Sequence, residues 1–337
     1  MAHFSRPRLS HIEVVQQSFV VSFFCNVCGA GNAVEDFAGE AATCACGSNV
    51  RVRALIHLLS LELFGQSFPL VEFPRLKAIR ALGMTDKPGY ARLLADKFDY
   101  TNTYYGREPR FDFTESHPGL YGAYDFILSA DVLEHVAPPV ERVIGEIYRL
   151  LKPHGFLAAT VPCAPSGEMR EHFPDLHEYR VAPLGNSAVL INRRRDGSLE
   201  IREDLAFHGG GGDTLEMRRF GIAGIGATAI EAGFREVRYW DDNVPGIGIL
   251  FDADVSQPFI ARKDAFAMDS AMRTQLVEEW RATRLEAEDA RKRSGLLAVE
   301  RERERERADR LALQMQMASR SRLLRLGRKL GLGPKFG

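Results

Sequence analysis

One strand–helix–strand run limits the possible folds of this 337-residue chain more than any other feature. It reads YDFILSADVLEHVAPPVERVIGEIYRLLKPHGFLAATVP and extends from Tyr124 to Pro162. Its start is an almost continuous apolar run, which is typical of a strand covered on both faces of a sheet. Apolar residues then recur at helical spacing from Val140 to Leu151, and Pro153 ends the pattern, which predicts an amphipathic helix. GFLAATVP predicts a second buried strand.

The segments on either side repeat this alternation. Leu76–Met84 predicts a strand, Gly89–Phe98 a helix and Tyr100–Tyr105 another strand. Phe111–Thr114 predicts a short extended segment, and residues 221–240 predict a helix followed by a strand. Strands that alternate with helices indicate an α/β fold with a doubly wound, mostly parallel sheet.

The chain divides into three parts by composition. Residues 1–50 hold a leader and four cysteines, residues 51–262 form the α/β domain, and residues 263–337 form a helical tail with a basic end. In the RERERER run of the tail, opposite charges meet at i,i+3 and like charges at i,i+4. This pattern predicts a solvent-exposed helix or a weak coiled coil. The tail could support an oligomer, and its basic end could dock on an acidic partner or a membrane surface.

The overall charge limits the partners. The formal net charge is −1, and residues 1–60 carry four arginines against four acidic residues. Nothing in this balance attracts nucleic acid, so a nucleic-acid partner is not expected. No apolar run approaches the roughly 20 residues that span a bilayer, and the N-terminus lacks the apolar core of a signal peptide. We therefore expect a cytoplasmic protein.

Four of the five cysteines lie close together in the sequence. Cys25 and Cys28 form a C-x-x-C motif, and Cys44 and Cys46 form a C-x-C motif. In a reducing compartment such clustering favours metal over disulfides. Four thiolates satisfy the tetrahedral preference of zinc and leave no position for water, so we expect a structural zinc site. The alternative is four thiols without a metal.

Polar residues follow the strand that begins at Tyr124. Ser129, Asp131, Glu134 and His135 lie where this strand is predicted to end. Ligands of open α/β sheets bind outside the carboxyl ends of the strands. The sequence therefore predicts a binding site at this edge.

The same residues resemble a known family. DFILSADVLEHV, followed by RLLKPHGFLAATVP, is similar to the fourth-strand to fifth-strand region of class I S-adenosylmethionine-dependent methyltransferases. A four-cysteine ribbon that leads into a G-S-x-x-R-x-R segment, here residues 47–53, also precedes some methyltransferase domains. EHFPDLHEY and FHGGGGDTLEMR resemble a subgroup found among bacterial surface-polysaccharide genes. The resemblance implies a seven-stranded, Rossmann-like sheet and S-adenosylmethionine as the cofactor.

The resemblance also implies the cofactor-binding residues, which are Gly83, Asp112, Ser129 and Asp131. Gly83 is the glycine expected to allow close approach of the cofactor, although the family's next glycine is displaced here to Gly89. Ser129 and Asp131 are expected to receive the cofactor's amino group, and Asp112 to lie near the adenine.

Methyl transfer needs alignment of the acceptor and often removal of its proton. Glu134 and His135 are expected to face the acceptor, with His135 as the candidate base because its ordinary pKa lies near neutrality. His208, which precedes a glycine run, is the next candidate. Alternatively, Glu134 and His135 hydrogen-bond the following loop.

Three functions remain open from the sequence. The first is methylation of a sugar or another small molecule, and the second is methylation of RNA gripped by the cysteine segment. The third is a scaffold without catalysis, which the altered glycine loop favours.

Overall fold

The computed structural model describes residues 21–34, 42–164, 167–185, 187–208, 214–251 and 256–320. Most of the leader and the basic end of the tail lie outside the described residues. Two compact units are present, Met1–Leu276 and Val277–Gly337. The domain boundaries expected after residues 50 and 262 stay predictions. No helix among the described residues is long and apolar enough to cross a membrane.

The first half of the chain contains the cysteine hairpin and most of the main sheet. Its elements are β1 (Val21–Phe24), β2 (Gly31–Val34), α1 (Val50–Phe64), β3 (Leu76–Met84), α2 (Pro88–Lys97), β4 (Phe98–Thr103), β5 (Tyr124–Ala130), α3 (Val140–Leu150) and β6 (Leu151–Val161).

The second half adds short strands and completes the sheet. Its elements are β7 (Cys163–Ala164), β8 (Arg170–Glu171), β9 (Glu178–Leu184), β10 (Ser187–Arg193), β11 (Leu199–Arg202), β12 (Phe207–His208), β13 (Thr214–Leu215), β14 (Arg218–Gly221), α4 (Ile222–Glu231), β15 (Glu236–Tyr239), β16 (Gln257–Arg262) and α5 (Ser270–Arg320).

The main sheet has the strand order β15-β16-β6-β5-β3-β4. β4, β3, β5 and β6 pair in parallel, whereas β16 is antiparallel to both of its neighbours. Helical segments connect the parallel strands, because parallel pairing requires a crossover connection. The prediction of an α/β fold with a doubly wound, mostly parallel sheet is confirmed.

The described sheet has six strands rather than the seven expected. Phe111–Thr114, predicted to be extended, turns instead of forming a strand. The reason is local: Asp112 Oδ1 accepts hydrogen bonds from the backbone N–H of Thr114 at 2.9 Å and from its Oγ1 at 2.6 Å. Such side-chain to backbone bonds compete with a strand ladder.

Both faces of the sheet are covered, which explains the continuous apolar run in β5. On one face, Phe126 stacks on Phe156 with ring centroids 5.6 Å apart, and both side chains are fully buried. On the other face, Ile127 packs in a cluster with residues of α3 and α4. Full burial of one such side chain contributes about 2 to 3 kcal/mol.

The start of α5 belongs to the packing of the first unit. Met272 is fully buried, and the side chain of Gln275 accepts a hydrogen bond of 2.9 Å from the backbone N–H of Ala78. Further along the helix most of the side chains that the structure describes are exposed, among them Trp280, which is 72% accessible.

We therefore expect two truncations to differ. A chain that ends after Arg262 loses Met272 and the hydrogen bond of Gln275, and its unfolding free energy should fall by about 3 kcal/mol. A chain that ends after Arg284 keeps both and should unfold like the full chain. Urea unfolding of the three chains measures this. Equal stability of the shorter chain and the full chain would contradict it.

Candidate functional site

The carboxyl ends of β3 and β5 lie side by side. Met84 pairs with Ser129, and Gly83 pairs with Leu128. Immediately after each strand a non-glycine residue has a left-handed backbone, with φ +58° at Thr85 and +50° at Asp131. Such conformations cluster at functional sites. The structure thus brings Gly83, Ser129 and Asp131 together at one edge of the sheet.

Asp131 is held by donors from three segments of the chain. Its carboxylate forms an ion pair with Arg51 of α1. It also accepts hydrogen bonds of 2.7 Å from the hydroxyls of Thr160 and Ser256. The sequence analysis missed Arg51; the signal available was its place two residues after Asn49, the residue that caps the N-terminus of α1.

The space beside Gly83 is occupied by the chain itself. A Cβ at this position would overlap the hydroxyl of Tyr100 and the carboxylate of Asp86. Both Tyr100 and Tyr90 donate hydrogen bonds to Asp86, which is buried. On this side of its backbone, the side chains of Tyr100 and Asp86 come so close that only a glycine fits at position 83. Contact between a cofactor and the backbone of Gly83 stays a prediction.

Asp112 lies after β4 and is largely buried. Its Oδ1 belongs to the turn with Thr114, and its Oδ2 lies 3.7 Å from Nη2 of Arg110. A role near the adenine of a cofactor stays a prediction.

Two buried oxygens at the edge have no hydrogen-bond partner in the described structure. They are Oγ of Ser129 and Oε2 of Glu134. Burial raises the pKa of Glu134 well above its ordinary value, and the charge of Asp131 raises it further. A buried polar atom without a partner costs about 1 to 3 kcal/mol, so these oxygens suit a ligand that supplies donors.

His135 is placed by a backbone carbonyl. Its Nδ1 lies 2.9 Å from the carbonyl oxygen of Leu215. A carbonyl only accepts, so this bond fixes the proton on Nδ1 and leaves the lone pair of the neutral ring on Nε2. Nε2 lies 3.7 Å from Oε1 of Glu134. The two residues predicted to face the acceptor, Glu134 and His135, therefore lie together, and His135 offers a basic nitrogen at Nε2.

The loop that carries Glu134 is held by Met217 and by Arg218 of β14, which is itself paired with Glu171 of β8. The backbone N–H of Met217 donates to the carbonyl of Glu134 at 2.8 Å. Arg218, fully buried, donates to the carbonyl of Leu133 and forms an ion pair of 2.7 Å with Glu171. These contacts keep the loop at the sheet edge.

A second histidine–carboxylate pair is formed by the residues next to Glu171 and Met217. Nε2 of His172 lies 2.8 Å from Oε1 of Glu216. The sequence analysis did not identify Glu216. His208 lies in β12, where its backbone pairs with Thr214. Its role as a base stays a prediction.

The four predicted metal ligands come together. The sulfur atoms of Cys25, Cys28, Cys44 and Cys46 all lie within 4.8 Å of one another. The Sγ atoms of Cys25 and Cys46 are 3.7 Å apart, and those of Cys28 and Cys44 are 3.6 Å apart. This cluster can hold a metal ion.

One family model matches the central part of the chain. The family model of a methyltransferase domain matches residues 78–188. No curated protein matches the chain significantly.

Three solved structures are similar in part. The 1,6-didemethyltoxoflavin-N1-methyltransferase of Burkholderia thailandensis, with bound S-adenosylhomocysteine, is 16% identical over 64% of this chain and 78% of its own, with a TM-score of 0.36. The CcbJ methyltransferase of Streptomyces caelestis is 14% identical over 68% and 93%, with a TM-score of 0.38. An S-adenosylmethionine-dependent methyltransferase of Mesorhizobium loti is 13% identical over 56% and 93%, with a TM-score of 0.32. These similarities are weak, and the fold is identified from the strand order of the sheet.

The buried carboxyl of Asp86 should make stability depend on pH. Burial raises the pKa of Asp86 to about 6, so the folded state holds its proton more tightly than the unfolded chain. The stability that this proton provides is fully present below about pH 4 and is lost as the pH rises through about 6. Relative to Asp86→Asn, the native chain should lose about 1 to 1.5 kcal/mol between pH 5 and pH 8. Urea unfolding across this range tests the prediction.

Asp96→Asn is the control, because Asp96 is exposed. It should follow the native pH dependence. A parallel course of the Asp86→Asn and native stabilities would contradict the raised pKa.

Proposed function

We propose that this chain is an S-adenosylmethionine-dependent methyltransferase that acts on a sugar or another small-molecule acceptor, as in the surface-polysaccharide subgroup that its sequence resembles. The observation that carries the proposal is the edge formed by β3 and β5. There, acidic residues and two unpartnered oxygens converge within a region that matches a methyltransferase domain. The acceptor class rests on resemblance and on the balanced charge of the chain.

The buried oxygens at this edge can accept hydrogen bonds, which suits the ammonium group of the cofactor. Ser129 and Glu134 provide unpaired buried oxygens, and the cofactor carries an ammonium group that can donate to them. Asp131 and Ser129 would hold the amino group of the cofactor, and Asp112 would lie near its adenine. When bound, S-adenosylmethionine supplies a methyl group on a sulfonium cation.

The remaining chemistry belongs to the chain. Nε2 of His135 carries the lone pair that can accept the proton of an acceptor hydroxyl, because Nδ1 is engaged by Leu215. Oε1 of Glu134, 3.7 Å from Nε2, places a partial negative charge beside the ring and can stabilise it when it is protonated. The contacts that hold Leu133 and Glu134 keep both groups in place. General-base help of this kind contributes about 10²- to 10⁴-fold to a rate.

The proposal predicts that binding and turnover separate. His135→Ala should bind S-adenosylmethionine like the native chain in calorimetric titration. Its methyl transfer to a panel of sugars and nucleotide sugars, measured with labelled cofactor, should fall about 10²- to 10⁴-fold. His154→Ala is the control, because His154 is exposed and its ring contacts only the carbonyl of Ala265 among the contacts described. Native turnover by His135→Ala would exclude His135 as the base.

A scaffold function is the second candidate, favoured by the filled space beside Gly83 and by the engagement of Asp131 with Arg51. The same titration decides between the two. No binding of S-adenosylmethionine or S-adenosylhomocysteine by the native chain would favour the scaffold.

We also propose that the cysteine cluster binds a structural zinc ion. Zinc–sulfur bonds of about 2.3 Å give sulfur–sulfur edges of about 3.8 Å in a tetrahedron, close to the two distances described above. A zinc ion with four thiolates has a net charge of −2. The buried guanidinium of Arg53 lies beside it and is hydrogen-bonded, in the described structure, to carbonyl oxygens. That cation complements the charge.

Elemental analysis should find about one zinc ion per chain. Cys44→Ser should lose the metal and lower thermal stability, because a small segment depends on its metal. Cys163→Ser should keep the metal, since Cys163 lies in β7 and not in the cluster. Metal-free native protein, freshly prepared without chelators, would contradict the proposal.

A further inference from the structure

The ion pair between Arg51 and Asp131 places two opposite charges at the edge where the cofactor is expected. Asp131 follows the last residue of β5, and Arg51 reaches it from the first turn of α1. Both side chains are partly accessible, at 18% for Arg51 and 11% for Asp131. The pair therefore lies at the rim of the sheet and not inside the hydrophobic core.

An amino-acid group is the ligand that such a pair complements. S-adenosylmethionine ends in an ammonium and a carboxylate on the same carbon atom. A carboxylate of the protein can accept from the ammonium, whereas the ligand's carboxylate requires a cation. A guanidinium has five donors, so one arginine can contact Asp131 and a second carboxylate together.

Several carboxyl groups surround Arg51. Asp131 and Glu134 lie close to its guanidinium, and Asp86 is buried beside Tyr90 just after the end of β3. An additional carboxylate would meet repulsion here without a positive partner. Arg51 is the arginine that the structure brings to Asp131, so it is the residue suited to receive the ligand's carboxylate.

The fold holds Arg51 firmly. The side chain of Asn49 accepts from the N–H of Val52 at 3.1 Å, which caps α1 at the residues beside Arg51. Cys46 precedes this cap by three positions, and a Cβ on Gly89 at the start of α2 would lie only 2.9 Å from the carbonyl oxygen of Cys46. The cysteine segment thus packs against the start of α2, next to the same edge.

We propose that Arg51 binds the α-carboxylate of S-adenosylmethionine while Asp131 receives its ammonium group, so that α1, which follows the cysteine segment, contributes one side of the cofactor site. This inference rests on the proposed function. A purely structural ion pair would affect stability alone, whereas a binding role depends on one group of the ligand.

The test compares two ligands that differ only in that group, S-adenosylmethionine and its decarboxylated form, by calorimetric titration of the full chain. The native chain should bind the decarboxylated ligand about 10- to 100-fold more weakly. Arg51→Met should weaken S-adenosylmethionine by a similar factor and leave the decarboxylated ligand within about twofold. Arg51→Lys, which keeps the charge, should restore part of the affinity.

Arg75→Met is the matched control, since Arg75 forms an ion pair of 3.3 Å with Asp96 just before β3, at the opposite end of the strand. It should bind both ligands like the native chain. Thermal unfolding of each variant confirms that it is folded, and the ratio of the two affinities within one variant cancels a general loss of binding.

The outcomes separate the two proposals. If the native chain binds neither ligand, the proposed function fails, and this inference fails with it. If the native chain binds both ligands equally, or if Arg51→Met weakens both to the same extent, the carboxylate contact is overturned while the proposed function stands.

Discussion

The arrangement of the first unit depends on the hydrogen bonds of one fully buried guanidinium, that of Arg53. It donates to the carbonyls of Ala42 and Ser48 in the cysteine segment and to that of Gly248 in the loop before β16, and it lies over the ring of Phe23. A buried cation costs several kcal/mol unless it is fully hydrogen-bonded, so these carbonyls and the cation have to be brought together in one conformation. Because Arg53 belongs to α1, the same interaction fixes the helix against the cysteine segment.

This anchoring determines what the sheet edge presents. Arg51 and Arg53 are two positions apart on one helical turn, so their side chains leave the helix in different directions. Arg53 is directed to the loops, and Arg51 is directed to Asp131. The cysteine segment therefore has a physical connection to the edge of the sheet, through the cap at Asn49 and the first turn of α1. Supporting the sheet edge is therefore a role that the cysteine segment can have without binding nucleic acid.

The sequence predicted those parts of the structure that depend on local pattern. The continuous apolar run of β5 and the spacing in α3 define two layers of the fold, and the position of Ser129 and Asp131 follows from where the apolar run ends. Arg51 and Tyr100 could not be predicted at the edge, because they arrive from other elements through tertiary packing. Phe111–Thr114 was misjudged because the bonds of Asp112 to Thr114 outweigh the extended tendency of two phenylalanines.

The loop after β3 shows how the chain forms its turn without the family's second glycine. Thr85 adopts the left-handed backbone that a glycine would take without strain, at a cost on the order of 1 kcal/mol. Its N–H donates to the carbonyl of Thr103 at 2.8 Å, and the side chain of Asn102 bonds both the N–H and the carbonyl of Asp86. Three hydrogen bonds of this kind offset the strain. A missing glycine is therefore weak evidence against the turn itself, and the side chains of Asp86 and Tyr100, rather than the backbone, decide what can approach Gly83.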